Sequence, residues 1–222
     1  MDDFNRNLFD AIENYDKGYF ENFDINNLKL IDFKLFKKES SNHCYNNIKG
    51  LYFKFILNDI NKTIYYYELA ANQGNSMAQN NLGLLYKNHF KDYEKAKYYY
   101  ELAANQGNSI AQYNLGCLYD YHFKDYEKAK YYYELAANQG NKDAKCLLYK
   151  LYCELDDYEN ALYWYNEYYD NEIKIDNIKN DPLLSDYIIN NYFKLKDENK
   201  ILKSELLKYK IDVNELEYNF NK

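Results

Sequence analysis

Apolar residues recur at helical spacing in two adjacent segments near the middle of the chain. They lie at Ala78, Leu82, Leu85 and Tyr86 in residues 76–88, and at Ala96, Tyr99, Tyr100 and Ala103 in residues 93–106. Positions three, four and seven apart share one face of an α-helix, so the pattern predicts two amphipathic helices, called here helix A and helix B. Ser76 is the predicted N-cap of helix A, and Gly107 is the predicted end of helix B.

The same pattern returns with a period of 33 residues. Residues 75–107 and 108–140 are identical at 28 of 33 positions, and the block YYYELAANQGN begins at residues 65, 98 and 131. With a degraded copy on either side, the chain contains four repeats, at 43–74, 75–107, 108–140 and 141–169. Such a period is typical of stacked helical pairs, so the predicted fold class is an all-α superhelix, or solenoid.

The two best copies differ at five positions, all of them in helix A: Met77/Ile110, Asn80/Tyr113, Leu84/Cys117, Lys87/Asp120 and Asn88/Tyr121. At about 100° per residue, these positions fall within an arc of about 100°. One interpretation is a binding surface that changed after duplication, formed by Met77, Asn80, Lys87, Asn88, Ile110, Tyr113, Asp120 and Tyr121. The alternative is five unrelated substitutions that cluster by chance. Position 84/117 is ambiguous, because Leu and Cys also pack well in a core.

These residues carry a family resemblance. Leu82, Gly83 and Tyr86, followed by Ala96, Tyr99, Tyr100, Ala103, Ala104 and Gly107, resemble the Sel1-like repeat, a close relative of the tetratricopeptide repeat. Trp164 stands where that family usually carries Trp, and the resemblance covers about residues 45–169. The chain departs from the family in two ways. Its loops at 87–93 and 120–126 are shorter, and in the fourth repeat Tyr149 replaces the glycine of the other repeats.

The resemblance implies a location for the varied stripe. In tetratricopeptide-like arrays helix A lines the concave groove that binds partner peptides, so the stripe is expected to face that groove. The corresponding positions are His43, Asn46, Phe53 and Lys54 in the first repeat and Asp143, Cys146, Lys150 and Glu154 in the fourth repeat. A mixture of aromatic, amide and charged groups suits an extended peptide or a helix better than a small apolar ligand.

The flanks differ from the repeats. Residues 1–42 are rich in Phe and Leu and predict an N-terminal helical cap, and residues 170–181 predict a linker. Residues 182–222 predict a helix with a heptad pattern that forms a coiled coil. Its seam contains the predicted dimerisation residues Leu195, Asn199, Leu202, Leu206, Tyr209 and Val213. A single Asn in such a seam favours a two-stranded coil, so a homodimer is expected.

Charge and cysteine content narrow the function classes. The net charge of −7 and the lack of a basic run argue against nucleic-acid binding, which depends on Lys and Arg. No run of about 18 apolar residues indicates a membrane span, and the first residues do not resemble a secretory signal. The four cysteines lack the spacing of a disulfide framework. A reducing, cytoplasmic location is therefore predicted.

No residue pattern indicates a cofactor, a metal or a catalytic centre. His89 and His122 lie one repeat apart, too far apart to share an ion, and are expected to pack within loops. His43 and Cys44 are adjacent, and their side chains are expected to diverge. Glu68, Glu101 and Glu134 recur without a partner for acid–base chemistry, and the Tyr triplets of helix B are expected to pack between repeats rather than stack on bases.

The function predicted from these observations is a non-catalytic adaptor that binds a protein segment along helix A. One alternative is a structural assembly protein that acts through the coiled coil. A second is an enzyme, because some secreted, cysteine-rich members of the Sel1-like group have been linked to β-lactam binding or hydrolysis. Those members bridge their repeats with regularly placed cysteine pairs, which this sequence lacks.

Overall fold

The computed structural model describes residues 42–169 and, singly, Lys29, Ile31 and Leu183. The helices in this part are α1 (His43–Phe55), α2 (Ile60–Asn72), α3 (Ser76–Leu85), α4 (Tyr93–Ala104), α5 (Ser109–Leu118), α6 (Tyr126–Asn138), α7 (Lys142–Glu154) and α8 (Tyr158–Tyr168). The predicted N-terminal cap, linker and coiled coil, with the six predicted dimerisation residues, lie outside the described residues apart from single positions.

Residues 42–169 contain helices and turns and no strand, which confirms the predicted all-α class of helical pairs. The chain divides into two compact units between Leu118 and Tyr119. In the first unit α1 packs against α2, α2 against α3, α3 against α4 and α4 against α5. In the second unit α6 packs against α7 and α7 against α8. Within each unit, every helix therefore contacts its neighbours in sequence, as expected of a repeat protein.

Asparagine, not serine, begins the A helices. The Oδ1 atom of Asn75 accepts a hydrogen bond of 2.8 Å from the backbone N–H of Ala78. Asn108 and Asn141 cap the next two A helices through equivalent bonds of 3.0 and 2.9 Å. The prediction of Ser76 as N-cap was wrong by one residue, because Asn and Ser are both good caps and the pattern alone does not separate them.

Helix A ends differently from the prediction. The α-helical part of α3 stops at Leu85, and residues Tyr86–Phe90 form one π-helical turn. Lys91, at φ 56°, then reverses the chain in the left-handed region. The second unit repeats this turn at Tyr119–Phe123, and Lys124 also has φ 56°. At the other end of the hairpin Gly107 has φ 83°, so the prediction that glycine ends helix B is confirmed.

In the first two hairpins a buried tyrosine ring lies on a glycine of the facing helix. A Cβ atom at Gly83 would lie 2.5 Å from the ring of Tyr100, which is fully buried, and Gly50 faces Tyr67 in the same way. The helices can approach this closely because one side chain is absent where the other is large. In the second unit Tyr149 takes the place of the glycine and meets Tyr165 edge-on, with ring centroids 5.2 Å apart.

The three tyrosines of each helix B triplet have three different environments. Tyr98 is 56% exposed, Tyr100 is fully buried, and Tyr99 stacks on Tyr86 of the same hairpin with ring centroids 5.5 Å apart. The ammonium group of Lys95 lies 5.1 Å from the centroid of the Tyr86 ring. Tyr99 therefore packs within its own hairpin. Tyr67, the equivalent of Tyr100, shares a buried cluster with Ala78 and Leu82 of the next repeat, so the triplets also pack between repeats as expected. The high tyrosine content follows from a fold in which few positions lie far from solvent.

Candidate functional site

The eight residues of the predicted binding surface have unequal exposure. In the first unit Ile110 is 56% exposed and Asn88 is exposed, whereas Met77, Lys87 and Tyr113 are half-buried. In the second unit Tyr121 is 60% exposed and Asp120 is half-buried. Asn80 is buried, with only 7% of its surface exposed. The solvent-facing part of the stripe is therefore narrower than the sequence predicts.

Asn80 is held between two A helices. Its Oδ1 accepts a hydrogen bond of 2.9 Å from the Nδ2 of Asn114, one repeat further along. One repeat earlier the Nδ2 of Asn81 donates to the Oδ1 of Asn47 at 3.1 Å. These amide pairs link α1 to α3 and α3 to α5. The expectation that Asn80 lies open on the binding surface must therefore be corrected, since its polar group is satisfied by a neighbouring repeat.

Asp120 has a partner within its own unit. The hydroxyl of the buried Tyr133 donates to the Oδ2 of Asp120 at 3.2 Å. Burial raises the pKa of the Asp120 carboxyl, while the bond from Tyr133 and the charge of Lys124 act in the opposite direction. In the preceding repeat Lys87 holds the equivalent position, and the described residues offer the hydroxyl of Tyr100 no acceptor. The Lys87/Asp120 difference therefore changes the core as well as the surface.

Two of the recurring glutamates of helix B, Glu68 and Glu134, bind a tyrosine of the next helix A. The hydroxyl of Tyr152 donates to the Oε1 of Glu134 at 2.6 Å, and Tyr86 hydrogen-bonds to Glu68 in the first unit. Burial raises the pKa of the Tyr152 phenol, and the bond to Glu134 raises it further by a smaller amount. This role of the glutamates was not predicted, although the tyrosine follows the glutamate by 18 residues in both pairs.

A pocket of about 550 Å³ opens at the edge of the first unit where the A helices begin. Its walls come from the first turn of α1, from the turn between α2 and α3 and from the turn between α4 and α5. We call it the edge pocket, and it is lined by His43, Cys44, Gly74, Asn75, Ser76, Met77, Gln106, Gly107 and Asn108. Met77 therefore joins the predicted binding surface to this pocket.

His43 and Cys44 converge in the edge pocket, contrary to the expectation that their side chains diverge. The Sγ of Cys44 lies 3.4 Å from the Nδ1 of His43. The side chain of Asn75 reaches both groups, with its Nδ2 at 2.9 Å from that nitrogen and 3.7 Å from the sulfur. Asn75, the cap of the next A helix, therefore contacts both side chains at the first turn of α1.

Other chemistry is not indicated by the described residues. Their side chains contain no group of three or more His, Cys, Asp or Glu positioned to hold a metal ion. His89 and His122 each lie edge-on against the following phenylalanine, at centroid distances of 4.7 and 5.0 Å. The described helices are all too short or too polar to span the hydrocarbon core of a bilayer.

The chain is similar to proteins of one repeat family, in sequence and in structure. The sequence matches the Sel1 repeat at residues 44–75, 76–108, 109–141 and 148–167. No curated protein sequence matches the chain significantly. Among solved structures, a protective antigen present in uropathogenic Escherichia coli strains, which displays an SLR fold, is 27% identical with a TM-score of 0.54 and covers 60% of this chain. A Sel1 repeat protein from Oxalobacter formigenes is 30% identical with a TM-score of 0.51 and covers 59%.

The matched region is a small part of the first of these proteins and a larger part of the second. This chain covers 31% of the Escherichia coli antigen and 58% of the Oxalobacter formigenes protein, less than two thirds of either. Both are helical-repeat proteins, and the predicted solenoid class is therefore confirmed.

Proposed function

We propose that this chain, which belongs to the Sel1 repeat family, is a non-catalytic adaptor that binds a protein segment along the exposed part of its A helices. Sel1 repeat proteins generally mediate protein–protein interactions. The observation that carries the proposal is Ile110, an aliphatic side chain that is 56% exposed on α5, at the position that Met77 holds on α3. Two apolar side chains on adjacent A helices offer an anchor for an extended segment or a helix.

Exposed apolar residues elsewhere provide a matched control. Tyr98 on α4 is also 56% exposed, but it belongs to a B helix and lies outside the proposed surface. Serine at either position removes exposed apolar area without opening the core, and each change should alter stability by less than about 0.5 kcal/mol. A difference between the two variants then reports on binding rather than on folding.

We expect Ile110→Ser to weaken partner binding at least about tenfold, as removal of a buried apolar anchor commonly does, and Tyr98→Ser to leave it unchanged. The partner is first identified by affinity capture with the wild-type chain and mass spectrometry, and its affinity is then measured by calorimetry with each variant. Loss of binding in the Tyr98→Ser variant alone would move the interface to helix B. Unchanged binding in both variants would disprove the proposed surface.

The proposal includes a homodimer formed by residues 182–222. Its support is the heptad pattern, with Leu195, Leu202 and Tyr209 alternating along the seam with Asn199, Leu206 and Val213. A dimer holds two weak binding sites together. It therefore binds a partner that has two binding segments more tightly than a monomer does, because the second segment binds at a high effective concentration. The alternative function is a structural assembly protein that acts through the same coiled coil but binds no partner with its repeats. The two functions differ in their dependence on Ile110, which only the adaptor needs.

Deletion of residues 182–222 is expected to convert the dimer into a monomer, because the repeats alone offer no heptad seam. Light scattering coupled to size exclusion at micromolar concentration measures it directly. A control deletion of the last few residues, after Leu216, should retain the dimer. An intact chain that is already monomeric under these conditions would refute the coiled coil.

The proposed compartment is a reducing cytoplasm. No disulfide joins any two of the four cysteines, all of which lie within the described residues. Disulfides form and persist in oxidising compartments, whereas intracellular thiols are kept reduced.

A further inference from the structure

Exposed apolar side chains lie in the turns between helix A and helix B of the first unit. In the turn between α1 and α2 three consecutive residues, Phe55, Ile56 and Leu57, are 54%, 42% and 46% exposed. One repeat later, in the turn between α3 and α4, Phe90 holds the position of Leu57 and is 45% exposed. Grouped apolar side chains on a surface commonly mark a contact with a protein or a membrane.

We call residues 54–62 and 87–95 the first and second tips. The backbone of the first tip is closed by its own hydrogen bonds, because the N–H groups of Ile56 and Leu57 both donate to the carbonyl of Tyr52, at 2.9 and 3.3 Å. Asn58, at φ 50°, then reverses the chain, as Lys91 does in the second tip. Apolar side chains are therefore exposed while the backbone donors behind them stay bonded. Such a tip enters an apolar medium with little loss of hydrogen bonding.

Both tips are basic, although the chain is acidic. Together they contain five Lys against two Asp and one Glu, whereas the net charge of the chain is −7. The ammonium group of Lys54 lies 4.8 Å from the centroid of the Phe55 ring, so positive charge and apolar surface occur side by side. Three of the lysines form no ion pair with a carboxylate of the described residues: Lys54, Lys87 and Lys91.

The acidic residues of the tips already have partners. Asp59 and Asp92 cap α2 and α4, and each accepts a hydrogen bond from the backbone N–H of the lysine three residues further on, at 3.1 and 3.0 Å. The same carboxylates lie 3.5 and 3.9 Å from the ammonium groups of those lysines. Glu94 pairs with Lys97. The tips therefore present a surplus of positive charge to the solvent.

The fourth repeat, in the second unit, has an apolar tip in the opposite electrostatic setting. Leu155 precedes the left-handed residue of its turn, Asp156 at φ 58°, just as Leu57 precedes Asn58. It is 42% exposed. However, residues 152–160 contain four acidic residues and no Lys or Arg. The turn therefore accepts an exposed apolar residue with either charge around it, and its combination with lysine is a property of the first unit.

We propose that the two tips of the first unit bind peripherally to a lipid bilayer that contains anionic lipids. The apolar side chains enter the boundary between headgroups and acyl chains, and the lysines contact the anionic headgroups. The acidic remainder of the chain does not prevent this, because exposed charges more than about 8 Å away are largely screened at physiological salt. A second copy of this chain is a poorer occupant, since it would bring the same lysines together. The inference is independent of the proposed helix A surface.

Vesicle co-sedimentation with the full-length chain tests the proposal. One set of vesicles contains phosphatidylcholine alone, and the other contains equal amounts of phosphatidylcholine and phosphatidylserine. We expect binding to the mixed vesicles to be at least about tenfold tighter and to weaken as salt is added, because each lysine near the surface contributes to the attraction. Equal binding to both sets would overturn the assignment to anionic lipid. No binding to the mixed vesicles would overturn the proposal and favour a protein as the occupant of the tips.

The apolar part of the contact is tested by Leu57→Ser combined with Phe90→Ser, which keeps every lysine. We expect this double variant to bind the mixed vesicles at least about tenfold more weakly, because one buried apolar side chain is lost from each tip. Leu155→Ser is the matched control and should leave binding unchanged. Circular dichroism checks that each variant is folded, as expected for changes at exposed positions. Undiminished binding by the folded double variant, or an equal loss with Leu155→Ser, would overturn the proposal.

The electrostatic part is tested by Lys91→Gln, which keeps both apolar tips. We expect it to weaken binding to the mixed vesicles about fivefold and to leave the weak binding to phosphatidylcholine alone unchanged. A loss of the same size with both sets of vesicles would mean that Lys91 supports the shape of the turn. That result would overturn its assignment to headgroup binding.

Discussion

Replacing Gly83 with alanine is expected to lower the free energy of unfolding by about 2–3 kcal/mol, as overpacking of a close-packed core typically does. The added Cβ would lie 2.5 Å from the ring of Tyr100, a distance that real Cβ atoms essentially never show. The ring cannot move aside easily, because Tyr100 is fully buried. The two helices must separate or the tyrosine must leave its rotamer. Urea unfolding followed by circular dichroism measures the loss.

Overpacking and helix propensity predict opposite effects of Gly83→Ala on the free energy of unfolding, so the measured sign distinguishes them. In an exposed helix interior, alanine is more favourable than glycine by about 1 kcal/mol, so helix propensity alone predicts stabilisation. A second variant, Tyr100→Leu, removes the ring that creates the clash. In that background Gly83→Ala should be neutral or stabilising by up to about 1 kcal/mol. A single Gly83→Ala variant that unfolds later than the wild type would show that the hairpin core is looser than described.

Local patterns in the sequence predicted much of this architecture. The apolar spacing located the helices, and the copied blocks located the repeats, because each repeat solves the same packing problem with the same residues. Gly107 could be recognised as a helix end because its position requires a positive φ, which glycine adopts without strain. The π-helical turn at Tyr86–Phe90 could not be recognised, because five residues contain too little periodicity to separate it from a loop.

The site was harder to predict, since polar residues look the same in the sequence whether they face water or one another. Asn80 was assigned to the binding surface because it differs between the copies and lies within the varied stripe. Its side-chain oxygen instead accepts a hydrogen bond from an amide of the next repeat. His43 and Cys44 were expected to diverge because only their own helix was considered. Both side chains also contact Asn75, which lies 32 residues from His43 in the sequence. Contacts between repeats, which a local pattern does not show, therefore contribute to both environments.

The second large effect is expected at Asn80. Alanine at this position removes the acceptor for the Nδ2 of Asn114, which is itself only 8% exposed. A buried donor left without a partner costs about 1–3 kcal/mol, so we expect Asn80→Ala to lower the free energy of unfolding by about 2 kcal/mol. Asn88→Ala is the matched control, because the same amide is lost from an exposed position at a cost below about 0.5 kcal/mol.

A double-mutant cycle separates the hydrogen bond from the loss of side-chain contacts. Once Asn80 is alanine, Asn114→Ala removes the orphaned donor as well, and the combined loss should be smaller than the sum of the single losses by about 1 kcal/mol or more. Strict additivity would mean that water reaches Asn114 and replaces its partner. In that case the amide pairs between A helices would not stabilise the array, and the burial of Asn80 would have to be explained by packing alone.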